Sequence, residues 1–181
     1  MKKLLEEIKS CKKCSLHKTR ILPTIYCGNV KSKILFIGEA PGKNEDETGT
    51  PFCGRAGKIL GELLEKINLK REDVYVTNIV KCRPPKNRDP KEKEIKCCKS
   101  FLDKEIELVC PKIICPLGRF SSKYILEKYI GKTFEIGKVH GKVFNVNGMI
   151  IIPMYHPAAA IYDNKKIIIL RKDFKKIISN L

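Results

Sequence analysis

Lys33–Ile37 (KILFI), closed by Gly38, and Val74–Val80 (VYVTNIV) are the two stretches on which the fold turns. Both are short apolar runs bounded by turn residues, the pattern of strands covered on both faces. Between them Leu60, Leu63, Leu64 and Ile67 recur at helical spacing. Upstream, Leu4, Leu5 and Ile8 mark a short first helix that runs into Cys11. Downstream, Ile95, Cys98, Leu102, Ile106 and Val109 step by 3, 4, 4 and 3, which predicts a helix over Lys91–Val109 with one buried stripe. Lys112–Pro116 reads as another buried strand and Ser121–Tyr129 as a helix. Asn147-Gly148, between Val143–Val146 and Met149–Met154, is the strongest short hairpin signal there is. In the tail Ile167, Leu170, Phe174, Ile177, Ile178 and Leu181 share one helical face. Strands alternating with helices predict an α/β layered domain with a mainly parallel sheet. In such sheets ligands bind beyond the carboxyl ends of the strands. Unusual loops begin there, after Ile37, Val80 and Met154.

The chain has 181 residues, with 37 Lys+Arg against 20 Asp+Glu and a net charge of +17. One domain, 1–181, is expected, without repeat or linker. No apolar run approaches the roughly 20 residues of a membrane span. The charged MKKLLEEIKS start lacks a signal peptide's apolar block. The expected location is cytoplasmic, and the expected state a monomer. The charge suits a polyanionic partner such as nucleic acid. Thirty lysines and no glutamine also fit a Lys-rich thermophile composition.

Nine cysteines in a reducing compartment are informative, because an odd count cannot pair off within one chain. Cys11-x-x-Cys14 can present two thiolates to one metal ion or one cluster iron, and a zinc knuckle or redox pair reads alike. Cys82 precedes Arg83-Pro84-Pro85, a rigid loop suited to a ligand. Cys98 lies on the buried stripe, where a core thiol is the plain reading, while Cys97 points elsewhere. The loop Gly38–Gly57 carries glycines that let backbone approach a ligand. It lacks the Lys-Ser or Lys-Thr of a P-loop. Phe52, between Pro51 and Gly54, is either a plug closing the loop or a platform for a planar base. Asn78, at a strand end, is either a turn cap or a paired donor and acceptor for a pyrimidine edge. His156, in Tyr155-His156-Pro157-Ala158-Ala159, opens a small-residue loop at the same edge. His17 and His140 have no comparable context.

GEAPGKNEDETGTPFCGRAG at 38–57, VTNIVKCRPPKNRDP at 76–90, EIKCCKSFL at 94–102 and YHPAA at 155–159 together resemble the family 4 uracil-DNA glycosylases, the thermostable iron–sulfur branch of that superfamily. The resemblance implies that superfamily's three-layer α/β/α sandwich. It implies hydrolysis of the N-glycosidic bond of a flipped deoxyuridine in single- or double-stranded DNA, which opens base-excision repair. It further implies a [4Fe-4S] cluster held by Cys11, Cys14, Cys82 and Cys98, structural rather than hydrolytic. Phe52 would stack on uracil, Asn78 would read its edge, and Gly38, Glu39 and Ala40 would complete the pocket floor. His156 would hydrogen-bond uracil O2, Glu39 would place the attacking water, and Glu45 with Asn87 would support the loops.

Cys53 stands where the family has an aliphatic residue, a change of packing only. Ala160-Ile161-Tyr162 replaces the family's leucines and arginine, leaving Ile161 as the expected wedge into the base stack. The loop at 84–90 lacks the His-bearing insertion of relatives that trap uracil-DNA covalently, so turnover is expected. A non-catalytic iron–sulfur DNA-binding or redox-sensing protein, and a zinc-binding nucleic-acid module, are the competing readings.

Overall fold

Ile34, Leu35, Phe36 and Ile37 are all buried, as residues of a central strand with both faces covered must be. The computed structural model describes the whole chain, Met1–Leu181. Its elements are α1 (Lys2–Lys9), β1 (Cys27–Gly28), β2 (Ile34–Gly38), α2 (Lys43–Thr48), α3 (Arg55–Glu65), β3 (Tyr75–Asn78), α4 (Glu92–Val109) and β4 (Ile113–Pro116). There follow α5 (Arg119–Ile130), α6 (Ile136–Val139), β5 (Phe144–Val146), β6 (Met149–Ile151), α7 (Ala159–Tyr162) and α8 (Asn164–Ile178). The sheet order is β1-β3-β2-β4-β6-β5. The β3–β2–β4–β6 core is parallel, and β1 and β5 add antiparallel edges. No helix is long and apolar enough to cross a membrane.

The strand period of two sorts β2 between two cores. Ile34 and Phe36 join Leu60, Leu64, Val76 and Phe174 under α3 and α8, where the Phe36 and Phe174 rings stack at 5.5 Å. Leu35 and Ile37 join Leu102, Ile106 and Ile125 under α4 and α5. The result is the expected three-layer α/β/α sandwich with a mainly parallel sheet. A smaller third core, Leu4, Ile8, Cys98 and Phe101, seats α1 on α4.

The hairpin forms as its turn dictates: Asn147 (φ 51°) and Gly148 (φ 86°) both take positive φ, and β5 pairs with β6. Elsewhere the structure departs from expectation. The loop Gly38–Gly57 contains the helix α2, which has no apolar residue and hence no periodicity to read. The strand expected over Val74–Val80 is β-paired only from Tyr75 to Asn78. Ile178 (45 % exposed) turns off the core face beside the fully buried Ile177, and Leu181 (46 %) lies past the end of α8. Parallel pairing sets Gly38 opposite Asn78 at the carboxyl end of the sheet. The three loops singled out in the sequence therefore converge there.

Candidate functional site

A cleft of about 540 Å³ opens at that sheet end, a size suited to a small ligand. Its floor is set by two close approaches. A Cβ on Gly38 would lie 2.3 Å from Asn78 Oδ1 and 2.6 Å from Phe52 Cε2, so only glycine lets the ring and the amide come so near. A Cβ on Gly57 would lie 1.6 Å from the Phe52 carbonyl oxygen, and its absence seats the first turn of α3 against the Phe52 loop. Phe52 itself holds φ at 56° and is 7 % exposed. Its ring stacks on that of His156, with centroids 5.4 Å apart.

Asn78 is 2 % exposed, and its Oδ1 has no hydrogen-bond partner in the protein. An orphaned buried acceptor costs about 1–3 kcal/mol, and Asn78 lines the cleft, where a ligand donor could satisfy it. His156 Nδ1 accepts the Ala158 N–H at 3.1 Å, which leaves the proton of the neutral ring on Nε2. Desolvation pushes the ring down to about 4, so it stays neutral at ordinary pH. The cleft thus offers an aromatic face, an amide with both polarities and an uncharged imidazole donor.

Glu39 follows β2 into the same cleft. Its Oε1 accepts the Phe120 N–H at 3.1 Å, at the N-terminal turn of α5. Burial raises the carboxyl above its ordinary value, and the Phe120 N–H and the Arg119 charge oppose that rise. Glu45 accepts from the Gly42 N–H (3.1 Å) through one oxygen and from the Gly54 N–H (3.0 Å) through the other, tying the two arms of the glycine loop together. Asn87 accepts from Arg83 Nε at 2.7 Å, fixing the 84–90 loop on the opposite wall. Ala40 lines the floor, and Lys43, Arg55 and Arg88 stand on the rim. The structure thus brings together Gly38, Glu39, Ala40, Phe52, Asn78 and His156, with Glu45 and Asn87 around them. Ile161 is half-buried on α7, whereas Tyr162, 83 % exposed, stands at the cleft's edge.

A second cleft lies on the other side of β3. Cys11, Cys14, Cys82 and Cys98 line it, with Cys97 and His17 beside them. His17 is thus a neighbour of the thiols that the sequence reading passed over, three residues beyond Cys14. The sulfurs are embedded in donors: Arg20 Nη1 donates to Cys82 Sγ at 3.0 Å, and the Lys81 N–H to Cys98 Sγ at 3.3 Å. Burial pushes the Cys98 thiol up to about 12, and the Cys14 and Cys82 thiols upward. A bound cation must therefore displace those protons, as metals do to thiols. No three His, Cys, Asp or Glu side chains close on one point as single-ion ligands. Tetrahedral zinc would draw thiolates to roughly 3.8 Å from one another, given Zn–S bonds near 2.3 Å. The donor set, four thiols lining one small cleft, has the chemistry that ligates an iron–sulfur cluster.

Between the clefts runs a charged network that the sequence reading missed. Lys81 is 1 % exposed, and its ammonium donates to Glu105 Oε2 and Thr77 Oγ1, both at 2.6 Å. Tyr75 and Thr77 hydroxyls also donate to Glu105. Burial raises the Glu105 carboxyl, while Lys81 and the hydroxyls pull it back.

The architecture is a mainly parallel α/β sandwich with a cleft at the carboxyl ends of its strands. Residues 25–181 match the family model described as the Uracil DNA glycosylase superfamily. The chain is 48 % identical to a type-4 uracil-DNA glycosylase of Sulfurisphaera tokodaii, covering 98 % of this chain and 83 % of that protein. Its identity to the type-4 uracil-DNA glycosylase of Saccharolobus solfataricus is 48 %, over 96 % of this chain and 83 % of the relative. For the type-4 uracil-DNA glycosylase of Archaeoglobus fulgidus it is 44 %, over 96 % and 89 %. The chain belongs to the uracil DNA glycosylase superfamily, and within it to the type-4 uracil-DNA glycosylases.

Proposed function

We propose that this chain hydrolyses the N-glycosidic bond of deoxyuridine flipped out of DNA, releasing uracil and leaving an abasic site for base-excision repair. The observation that carries this is the buried, unpartnered Oδ1 of Asn78, a residue that lines a cleft together with Phe52 and His156. Uracil presents an N3–H donor beside the O4 acceptor, and the Asn78 amide complements both. Cytosine presents the reverse pattern and would leave two buried groups unpaired, the kind of mismatch that discriminates most sharply. Flipping costs about a few kcal/mol and less at a mismatch.

As the bond breaks, negative charge develops on uracil. His156 Nε2–H and the Asn78 amide are donors aimed at that charge, and a neutral imidazole suits a site that must not bind the anion permanently. Glu39, held at the start of α5 by the Phe120 N–H, presents its carboxylate to the cleft to hold the attacking water. Phe52 stacks on the base. Tyr162 takes the wedge position in place of Ile161, since an exposed aromatic ring at the rim can fill the gap left in the stack. Lys43, Arg55 and Arg88 supply phosphate contacts on single- or double-stranded DNA, and affinity falls with salt as counterions are released. Cys11, Cys14, Cys82 and Cys98 would hold a [4Fe-4S] cluster, which when bound supplies structural order to the loops between the two clefts. The enzyme acts as a cytoplasmic monomer.

The test is uracil release from a single-uracil oligonucleotide by brown, cluster-loaded protein. Wild type releases free uracil without strand cleavage, and Asn78→Ala or His156→Ala lowers the rate by about 10²–10³ with unchanged cluster absorbance. Intact DNA after incubation with loaded wild type overturns the reading.

A further inference from the structure

Arg20 occupies a place that the roles above leave empty. Its guanidinium forks between two partners: Nη1 donates to Cys82 Sγ at 3.0 Å, and Nη2 donates to the Lys9 carbonyl at 2.7 Å. Lys9 ends α1, whose last turns pack Leu4 and Ile8 on Cys98 and Phe101. One planar side chain therefore joins the end of α1 to the sulfur that follows β3. Lysine cannot reproduce this, because it offers one point charge rather than two donors in fixed relation.

The four thiols are not treated alike. Cys98 receives a neutral backbone N–H from Lys81, and Cys82 receives the charged guanidinium. The chain's other hydrogen-bond donors leave Cys11 and Cys14 sulfurs untouched. Hydrogen bonds to ligating sulfurs draw electron density from the metal and stabilise the reduced form of an iron–sulfur centre, and a charged donor does so most strongly.

We propose that Arg20 tunes the cluster through the Cys82 sulfur, holding its one-electron reduction potential up. This rests on the [4Fe-4S] reading of the four cysteines. The quantity concerned is the midpoint potential of the cluster's one-electron couple, with the electron supplied by the chemical mediator of the titration and no proton or ligand exchanged, so Arg20 acts as a positioning and tuning residue. It touches neither uracil nor the attacking water.

The experiment is a mediated redox titration of anaerobically purified wild type, Arg20→Lys and Arg20→Met, with iron and sulfide content measured on each. The expected result is equal cluster content, a midpoint potential shifted negative in Arg20→Met, and a smaller negative shift in Arg20→Lys. Resonance Raman spectra of the same samples should show the terminal Fe–S stretch moving to higher frequency in Arg20→Met, as a thiolate relieved of its donor binds iron more strongly. Identical potentials and Raman bands in loaded wild type and Arg20→Met overturn the proposal and leave the cluster reading standing. Wild type that lacks iron and sulfide overturns both. Should Arg20→Met fail to fold, Arg20→Lys decides the matter by the same two measurements.

Discussion

The two clefts on either side of β3 are built by opposite means. The base-sized cleft is made chiefly of backbone: glycines let Phe52 and Asn78 approach, and N–H groups of Gly42, Gly54, Phe120 and Ala158 fix the carboxylates and the imidazole. The cysteine cleft is made of side chains brought from α1, the segment after it, β3 and α4, held by packing and by one arginine fork. The first can be rigid with nothing in it. The second is assembled from three separate stretches of chain, 8–20, 80–82 and 97–101. Asn78 and Cys82 stand four residues apart on one stretch of chain, so rigidity gained at one cleft is delivered to the other.

The largest expected effect breaks the network between them. Lys81→Met leaves Glu105 as an unpaired buried carboxylate and should cost about 3–5 kcal/mol of stability. Chemical denaturation checks this, and Lys81→Met combined with Glu105→Met should recover part of the loss. Next, Gly38→Ala places a methyl group against Asn78 and Phe52. It should lower uracil release by about 10²–10³ while iron content stays at the wild-type level, separating the clefts cleanly.

A smaller effect is read in the pH profile. The His156 ring, pushed down to about 4, stays neutral through mild acid and does not set the acid limb. Glu39 does, because its carboxyl lies above the ordinary value and protonates as pH falls through that raised pKa. Activity should drop on the acid side, and Glu39→Gln should flatten that limb at a low rate. Stability follows His156 with a definite sign: unfolded chain takes up a proton near 6.5 and the folded ring only near 4. Stability is therefore full above pH 6.5 and declines as pH falls toward 4. The smallest effect is Cys53→Val. Cys53 is exposed and touches only Thr48 Oγ1, at 3.2 Å, so rate, melting temperature and iron content should all stay at wild-type values.

The sequence was most legible where burial is periodic. β2, β4, α4 and the Asn147-Gly148 hairpin follow directly from apolar spacing and turn chemistry, and the site loops follow from the sheet's polarity. Polar and charged structure was legible only in part. The helix α2, KNEDET, carries no apolar stripe, and only the flanking Gly42 and Gly49 hint at its ends. The Lys81–Glu105 pair could not be read, since nothing in one sequence says that two charges from distant segments will meet in a core. Arg20 and His17 were missed because their relation to the cysteines is made by tertiary packing. The 83 % exposure of Tyr162 at the cleft's edge likewise could not be read from its place beside Ile161.

The unpartnered Asn78 oxygen has a consequence for the whole molecule. A buried acceptor that only a ligand can satisfy makes the free protein the less comfortable state, and any occupant that supplies the missing donor raises the melting temperature by mass action. Free uracil, the released product, is such an occupant. On the proposed reading of Asn78, the group that selects the base also retains it, and discrimination against cytosine comes with slower release of the product.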